Sequence, residues 1–202
     1  MKTQQKWLVV AAAALTFVLT ACGTQSSKDS SSSSKQQVWH RMEADVLQTL
    51  DPSKASEGVS GQAIIDTMNG LYKYYGHDLQ PAMATKIVKP TNNGLTYTFT
   101  LRNAKWSDGT PVTAQDFVFA WQRTVDPATK STQANMYSGI KNADDIRAGK
   151  KPATDLGIKA INDKTIEVTL EHPISYFNSL LNNVAFFPQP AKKVKAWGAK
   201  YG

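Results

Sequence analysis

The chain has 202 residues, 41% of them hydrophobic and 19% charged, a composition that excludes a disordered or bilayer-embedded protein. Its formal net charge is +7 and its pI about 9.4, but the excess is dispersed. The densest cluster, Lys192, Lys193, Lys195 and Lys200, is spaced like the solvated face of a short helix and lacks an aromatic stacking platform, which argues against a nucleic-acid partner.

Lys2 and Lys6 precede an apolar stretch, Trp7 to Val18. It is too short for a spanning helix and matches the n-region and h-region of a secretory signal. The stretch ends in Leu19-Thr20-Ala21-Cys22, which resembles a bacterial lipobox: residues 1–21 are a signal peptide, and Cys22 is acylated before cleavage. Removal of Lys2 and Lys6 leaves 21 Lys and Arg against 16 Asp and Glu, a net charge of +5. Residues 23–37 are mostly Ser, Lys, Gln and Thr with almost nothing to bury, hence a flexible tether. One acyl chain holds a membrane only marginally, so the two or three chains of such lipoproteins imply stable anchoring. The expected location is the cell membrane, on its extracellular face, or on the periplasmic side where an outer membrane exists. Cys22 is the single cysteine, which excludes an intrachain disulfide or a Cys-based metal cluster.

From Val38 the chain alternates short strands and helices. Val38 to Met42 alternates weakly and reads as a strand, and Asp51-Pro52 breaks it into a loop. Ala63, Ile64, Ile65, Met68 and Leu71 form an apolar helical face ended by Asn69-Gly70. After the Asn93-Gly94 turn signal, Leu95 to Leu101 places large apolar residues at every second position, a strand with one packed face. Trp106-Ser107-Asp108-Gly109 is a tight turn and Pro111 holds the next segment extended. Thr113 caps a helix, with Asp116 near its positive end and Phe117, Ala120, Trp121 and Thr124 on one face; Asp126-Pro127 closes it. Leu156 to Ile161 and Thr165 to Leu170 are two strands joined at Asn162-Asp163-Lys164, and Pro173 starts a helical stretch in which Tyr176, Phe177, Leu180 and Leu181 share a face. The class is α/β.

Catalytic constellations are missing. His40, His77 and His172 are far apart and none has metal-ligand spacing, and no nucleophile elbow, phosphate loop or dinucleotide fingerprint is present. Asp108 and Asp116 sit in a turn and a first helical turn, contexts that explain them without acid-base chemistry. Asp144-Asp145 reads as a solvated pair near a helix start. Neither catalytic residues, metal nor cofactor is expected. Trp121 belongs to the core by its spacing from Phe117, whereas Tyr72, Tyr74 and Tyr75 divide between core and surface.

The run from Asn103 to Val118, Asn-Ala-Lys-Trp-Ser-Asp-Gly-Thr-Pro-Val-Thr-Ala-Gln-Asp-Phe-Val, with Trp121-Gln122-Arg123 after it, resembles the signature region of the oligopeptide-binding proteins of bacterial ABC importers, the family 5 extracellular solute-binding proteins. Ala148 to Gly157 and Glu167 to Leu170 extend the resemblance in the same order, and it runs from near Trp39 to Gly202. It implies a periplasmic-binding-protein type II-like fold, two-lobed at full length, of which this chain holds an incomplete first lobe and its attached subdomain. Residues 38–68 would be the first segment of lobe I, 69–188 the inserted subdomain, and 189–202 the start of a truncated return segment. The implied function is capture of extracellular oligopeptides by a monomer that delivers them to ABC permease subunits. A dipeptide, a cell-wall peptide, a pheromone or a nickel complex is an alternative cargo within the family. A hydrolytic or chaperone-like lipoprotein and a nonfunctional truncated fragment are the competing readings. Glu57-Gly58-Val59 aligns with the segment that pairs with the peptide backbone, a role that suits Gly58, because a missing side chain lets a main chain approach. A loop before a helix is the structural alternative for the same three residues. Relatives place a peptide-contacting tyrosine shortly after the Asp-Pro; here Lys130-Ser131-Thr132 stands instead, with Tyr137 further on.

Overall fold

The computed structural model describes residues 40–202. The predicted signal peptide, Cys22 and the tether lie outside the described residues. Taken by themselves, His40 to Met42 have no regular structure and Met42 is 97% exposed, so the described part of the predicted Val38–Met42 strand is not one. Alternation alone does not make a strand, because its N–H and C=O groups need a ladder partner.

Helix α1 spans Gly58–Thr67 and starts earlier than the apolar pattern suggests, because Glu57 caps it: its backbone is extended and its carboxylate accepts the Ser60 N–H at 2.9 and 3.1 Å. The helix stops at Thr67, where Met68 turns extended. Leu71 therefore never joins its apolar face and is buried in a different cluster, while Ile65 is left half-exposed. Ile64 is the buried apolar side chain of α1, and it meets Ala55, Val184 and Phe187, with Met68 partly covering them.

Strands β1 (Tyr72–Tyr75) and β2 (Asp78–Pro81) form an antiparallel hairpin turned at Gly76, whose φ is +61°, the left-handed region that glycine adopts without strain. Only Tyr72 of β1 is buried. Asn92, Asn93 and Gly94 all have positive φ and turn the chain into β3, Thr96–Thr100. Strands β4 (Ile158–Asn162) and β5 (Thr165–Thr169) follow later in the chain, and the sheet runs β3-β5-β4, antiparallel throughout. In register, Tyr97 faces Val168 and Phe99 faces Ile166. Those four residues with Ile158 are buried, which is the alternation that the sequence predicts.

Helix α2, Ala114–Val125, packs on this sheet. The Asp116 carboxylate reaches back to the Thr113 N–H at 2.8 Å, and Phe117, Ala120, Trp121 and Thr124 are buried as one face. The Trp121 indole N–H donates to the Phe186 carbonyl at 2.9 Å, and its ring meets Tyr137 and Phe186 edge-on, at centroid distances of 5.7 and 5.2 Å. Each such pair adds about 0.5–1.5 kcal/mol beyond burial.

Three short α-helices, α3 (Ala143–Arg147), α4 (Phe177–Leu180) and α5 (Ala191–Trp197), and five one-turn 3-10 helices complete the described chain. Helix α4 is one turn long and does not begin at Pro173 as the sequence suggests; Tyr176 precedes it and is 62% exposed, whereas Phe177 and Leu181 are buried. Residues 43–202 form one compact unit, but its apolar side chains fall into two clusters. The larger holds the sheet, α2 and Phe186; the smaller holds Ile64 of α1 and its neighbours.

Candidate functional site

Glu57, Gly58 and Val59 occupy the N-cap and first two positions of α1. Glu57 is extended, whereas Gly58 and Val59 are already helical, so only the first of the three has strand geometry to offer a ligand. The capping bond to Ser60 is what pulls the other two into the helix. The Gly58 N–H, at the first helical position, has no intrahelical acceptor. Gly58 is exposed, and a Cβ added to it would meet nothing within 4 Å. Hydrogen bonding to Ser60, through its side chain and then its N–H, holds the Glu57 carboxyl below its ordinary value. The Ser60 hydroxyl in turn accepts the N–H groups of Thr49 at 3.0 Å and Gln48 at 3.3 Å, which folds the preceding loop against the helix start.

A buried polar network fixes the segment leading into Glu57. Asp51 is fully buried and both of its oxygens are held by Arg123, at 2.7 and 2.6 Å. The same guanidinium donates to Gln189 Oε1 at 2.7 Å, the Gln189 amide donates to the Ser53 hydroxyl at 2.7 Å, and Ser53 shares a 2.8 Å hydrogen bond with Thr124. Gln189, Ser53 and Thr124 are all fully buried. Further along, the Ser131 hydroxyl donates to the Ser53 carbonyl and the Gln133 amide to the Ala55 carbonyl, the latter at 2.8 Å. Tyr201 lies under the Arg123 guanidinium, 5.7 Å from it, and burial pushes its hydroxyl up to about 12. In the sequence Asp51 reads only as a chain break, and neither Arg123 nor Gln189 carries a local sign of this role.

The carboxylates considered for acid-base chemistry are engaged elsewhere. Asp108 accepts from the Thr110 hydroxyl at 2.6 Å and N–H at 3.0 Å, with Lys193 at 3.3 Å, and these partners hold it at about 2. Asp116 accepts from Thr113 and, at 3.3 Å, from the Trp106 indole. Asp144 pairs with Arg147 at 2.9 Å and Asp145 with Lys151 at 3.1 Å. His40, His77 and His172 are exposed, and among the described residues no cluster of three or more His, Cys, Asp or Glu has metal-binding proximity. Tyr72 is buried, while Tyr74 and Tyr75 are exposed. An open groove of about 620 Å³ runs past Leu50, Met68, Met83, Trp106 and Trp197 and does not include Glu57 to Val59. No described helix is long and apolar enough to cross a membrane.

Residues 78–201 match the family described as bacterial extracellular solute-binding proteins, family 5 middle. The chain belongs to this family. Family 5 relatives include the periplasmic oligopeptide-binding protein OppA of Salmonella typhimurium, 46% identical over 160 residues, which covers 77% of this chain and 29% of that protein. The oligopeptide-binding protein OppA of Bacillus subtilis is 35% identical over 209 residues, covering 98% of this chain and 38% of the relative. Among solved structures, Listeria monocytogenes OppA bound to peptide superposes with a TM-score of 0.76 at 42% identity, covering 79% of this chain and 32% of that one. The chain thus spans roughly a third of the length of these relatives. The mixed helix and strand arrangement is that of an incomplete lobe of a periplasmic-binding-protein type II-like fold. The family 5 match covers the signature turn, α2 and the sheet; Glu57 to Val59 precede it.

Proposed function

We propose that this chain supplies one wall of the peptide-binding cleft of an ABC-importer substrate-binding protein, which captures extracellular oligopeptides and passes them to membrane permease subunits without making or breaking a bond. The observation that carries the reading is membership of family 5 together with 46% identity to a protein named as oligopeptide-binding. The geometry adds support at Glu57 to Val59. Glu57, extended and capping the helix, stands beside the exposed residue Gly58, whose N–H has no intrahelical acceptor, and the two offer a peptide backbone main-chain pairing that is indifferent to its side chains. In this reading residues 38–68 begin lobe I, 69–188 are its inserted subdomain and 189–202 begin the return. The monomer is held outside the cell membrane by acylated Cys22.

Mass spectrometry of ligands released on denaturing the natural gene product, purified from its exported form, tests the proposal. Heterogeneous peptides of three to six residues are expected. A single non-peptide compound, or a defined cell-wall peptide, would move the cargo to another class within the family.

A further inference from the structure

Helix α2 carries the end of the signature run, yet none of its side chains hydrogen-bonds Glu57, Gly58 or Val59. What its last turn does hold is the chain just upstream. We propose that Arg123 is a positioning residue for the ligand-facing turn Glu57 to Val59, acting through Asp51 and the 51–55 segment; the ligand-facing part of this statement rests on the function proposed above.

Three stretches remote in sequence meet at this guanidinium, Asp51 lying 72 residues away and Gln189 66. The fork spans both Asp51 oxygens and still reaches Gln189, a geometry that a lysine ammonium cannot reproduce. Asp51 has no solvent to fall back on, so its orientation follows the arginine. The Asp51 carboxylate also accepts the Ser53 N–H at 3.0 Å, so the turn 51–53 is shaped around the same ion pair. Thr124, Gln189, Ser131 and Gln133 then fasten Ser53 and Ala55. Only Ser56 separates the last of these tethers from Glu57.

The apolar grip on α1 is thin by comparison. Ile64 is its buried apolar side chain, and the cluster around it is Ala55, Val184, Phe187 and part of Met68. The Glu57 cap starts the helix, and polar tethering of the 51–55 segment therefore sets where that capped start sits and which way the Gly58 N–H points. This assigns the Trp121-Gln122-Arg123 end of the motif two structural tasks, with Trp121 anchoring the core and Arg123 reaching out of it to the site.

Hydrogen-exchange mass spectrometry of the whole chain, as wild type, Arg123→Met, Arg123→Lys and Gln133→Ala, tests the assignment. In Arg123→Met, amides 53–61 should exchange about tenfold faster or more, while β3 and β5 keep their wild-type protection. Arg123→Lys should recover thermal stability without recovering that local protection. Gln133→Ala removes one distal tether and should accelerate the same window to a lesser degree with an unchanged melting temperature, which keeps the test valid if Arg123→Met does not fold. Uniform acceleration across the sheet and the 53–61 window, or no change in that window in any variant, overturns the proposal. Titration of wild type with tri- to hexa-alanine separates the two readings: the predicted exchange pattern without peptide binding by the natural gene product refutes the ligand-facing role and leaves the tether, whereas binding with a uniform pattern refutes the tether.

Discussion

Replacing Trp121 by phenylalanine removes one hydrogen bond from the centre of the core while leaving an aromatic ring in place. The indole is fully buried and its N–H donates to the Phe186 carbonyl at 2.9 Å. Phenylalanine leaves that carbonyl buried without its donor, a cost of about 1–3 kcal/mol. The edge-on contacts with Tyr137 and Phe186 are only partly kept by the smaller ring, and each is worth about 0.5–1.5 kcal/mol. The expected loss is about 2–4 kcal/mol, a large share of the roughly 5–15 kcal/mol that stabilises a domain. For a unit of this size it lowers the melting temperature by about 4–16 °C, taking about 2–4 °C per kcal/mol. Urea denaturation followed by circular dichroism gives the free energy, and Tyr137→Phe, which removes the 2.6 Å bond to the Ala185 carbonyl, is the companion variant. Because Val184 and Phe187 of the same segment cover Ile64, the Trp121 variant should also loosen α1. A Trp121→Phe protein that unfolds at the wild-type urea concentration would refute the argument that this bond fastens the 184–187 segment to α2.

Other outcomes follow from single residues. Hydrogen bonding to Ser60 holds the Glu57 carboxyl below its ordinary value in the folded chain, so its cap on Ser60 is fully present above the ordinary glutamate value and is lost as the pH falls through the lower folded one; a carbon-detected carboxyl titration that finds Glu57 at or above the ordinary glutamate value contradicts the cap. Gly70→Ala places a Cβ 2.5 Å from the Phe187 ring and 3.1 Å from the Leu181 carbonyl, which should destabilise the chain by about 1–3 kcal/mol, read from the shift in its denaturation midpoint. Cys22→Ser should abolish metabolic labelling by palmitate and, because acylation precedes cleavage, leave residues 1–21 attached, which the intact mass reads; a variant that is still labelled, or still cleaved before position 22, would exclude the lipid anchor.

The parts of the fold that were legible in the sequence are those whose signal is local. The alternation of β3 and β5 and the cap of α2 need only neighbours a few residues away, and Tyr97, Phe99, Ile166, Val168 and Trp121 are buried as their spacing requires. The β1-β2 hairpin left no such trace, because Tyr72 is the only buried residue of its first strand and Leu79 is only half-buried in its second. Leu71 looked helical by period but belongs to the sheet cluster, since Glu57 starts α1 early and Met68 ends it. At the candidate site, only the family resemblance singles out Glu57 to Val59, and an acidic residue three before Ser60 is the local sign of the cap that the apolar pattern does not carry. The Asp51–Arg123–Gln189 network was unreadable for a different reason. A charged residue on an amphipathic helix normally faces water, and nothing local announces partners 72 and 66 residues away.

The most direct test is calorimetry of the natural gene product with tri- to hexapeptides, comparing wild type with Gly58→Pro. Proline is tolerated at a first helical position, and Glu57, with φ −114° and ψ 161°, already has the extended geometry required before it, so the variant should fold while lacking the N–H offered to the peptide. Peptide binding by wild type and a loss of about tenfold or more in the variant, the worth of about one hydrogen bond, is the predicted result. Heat from no peptide, or equal affinity in both proteins, would contradict main-chain capture at this turn.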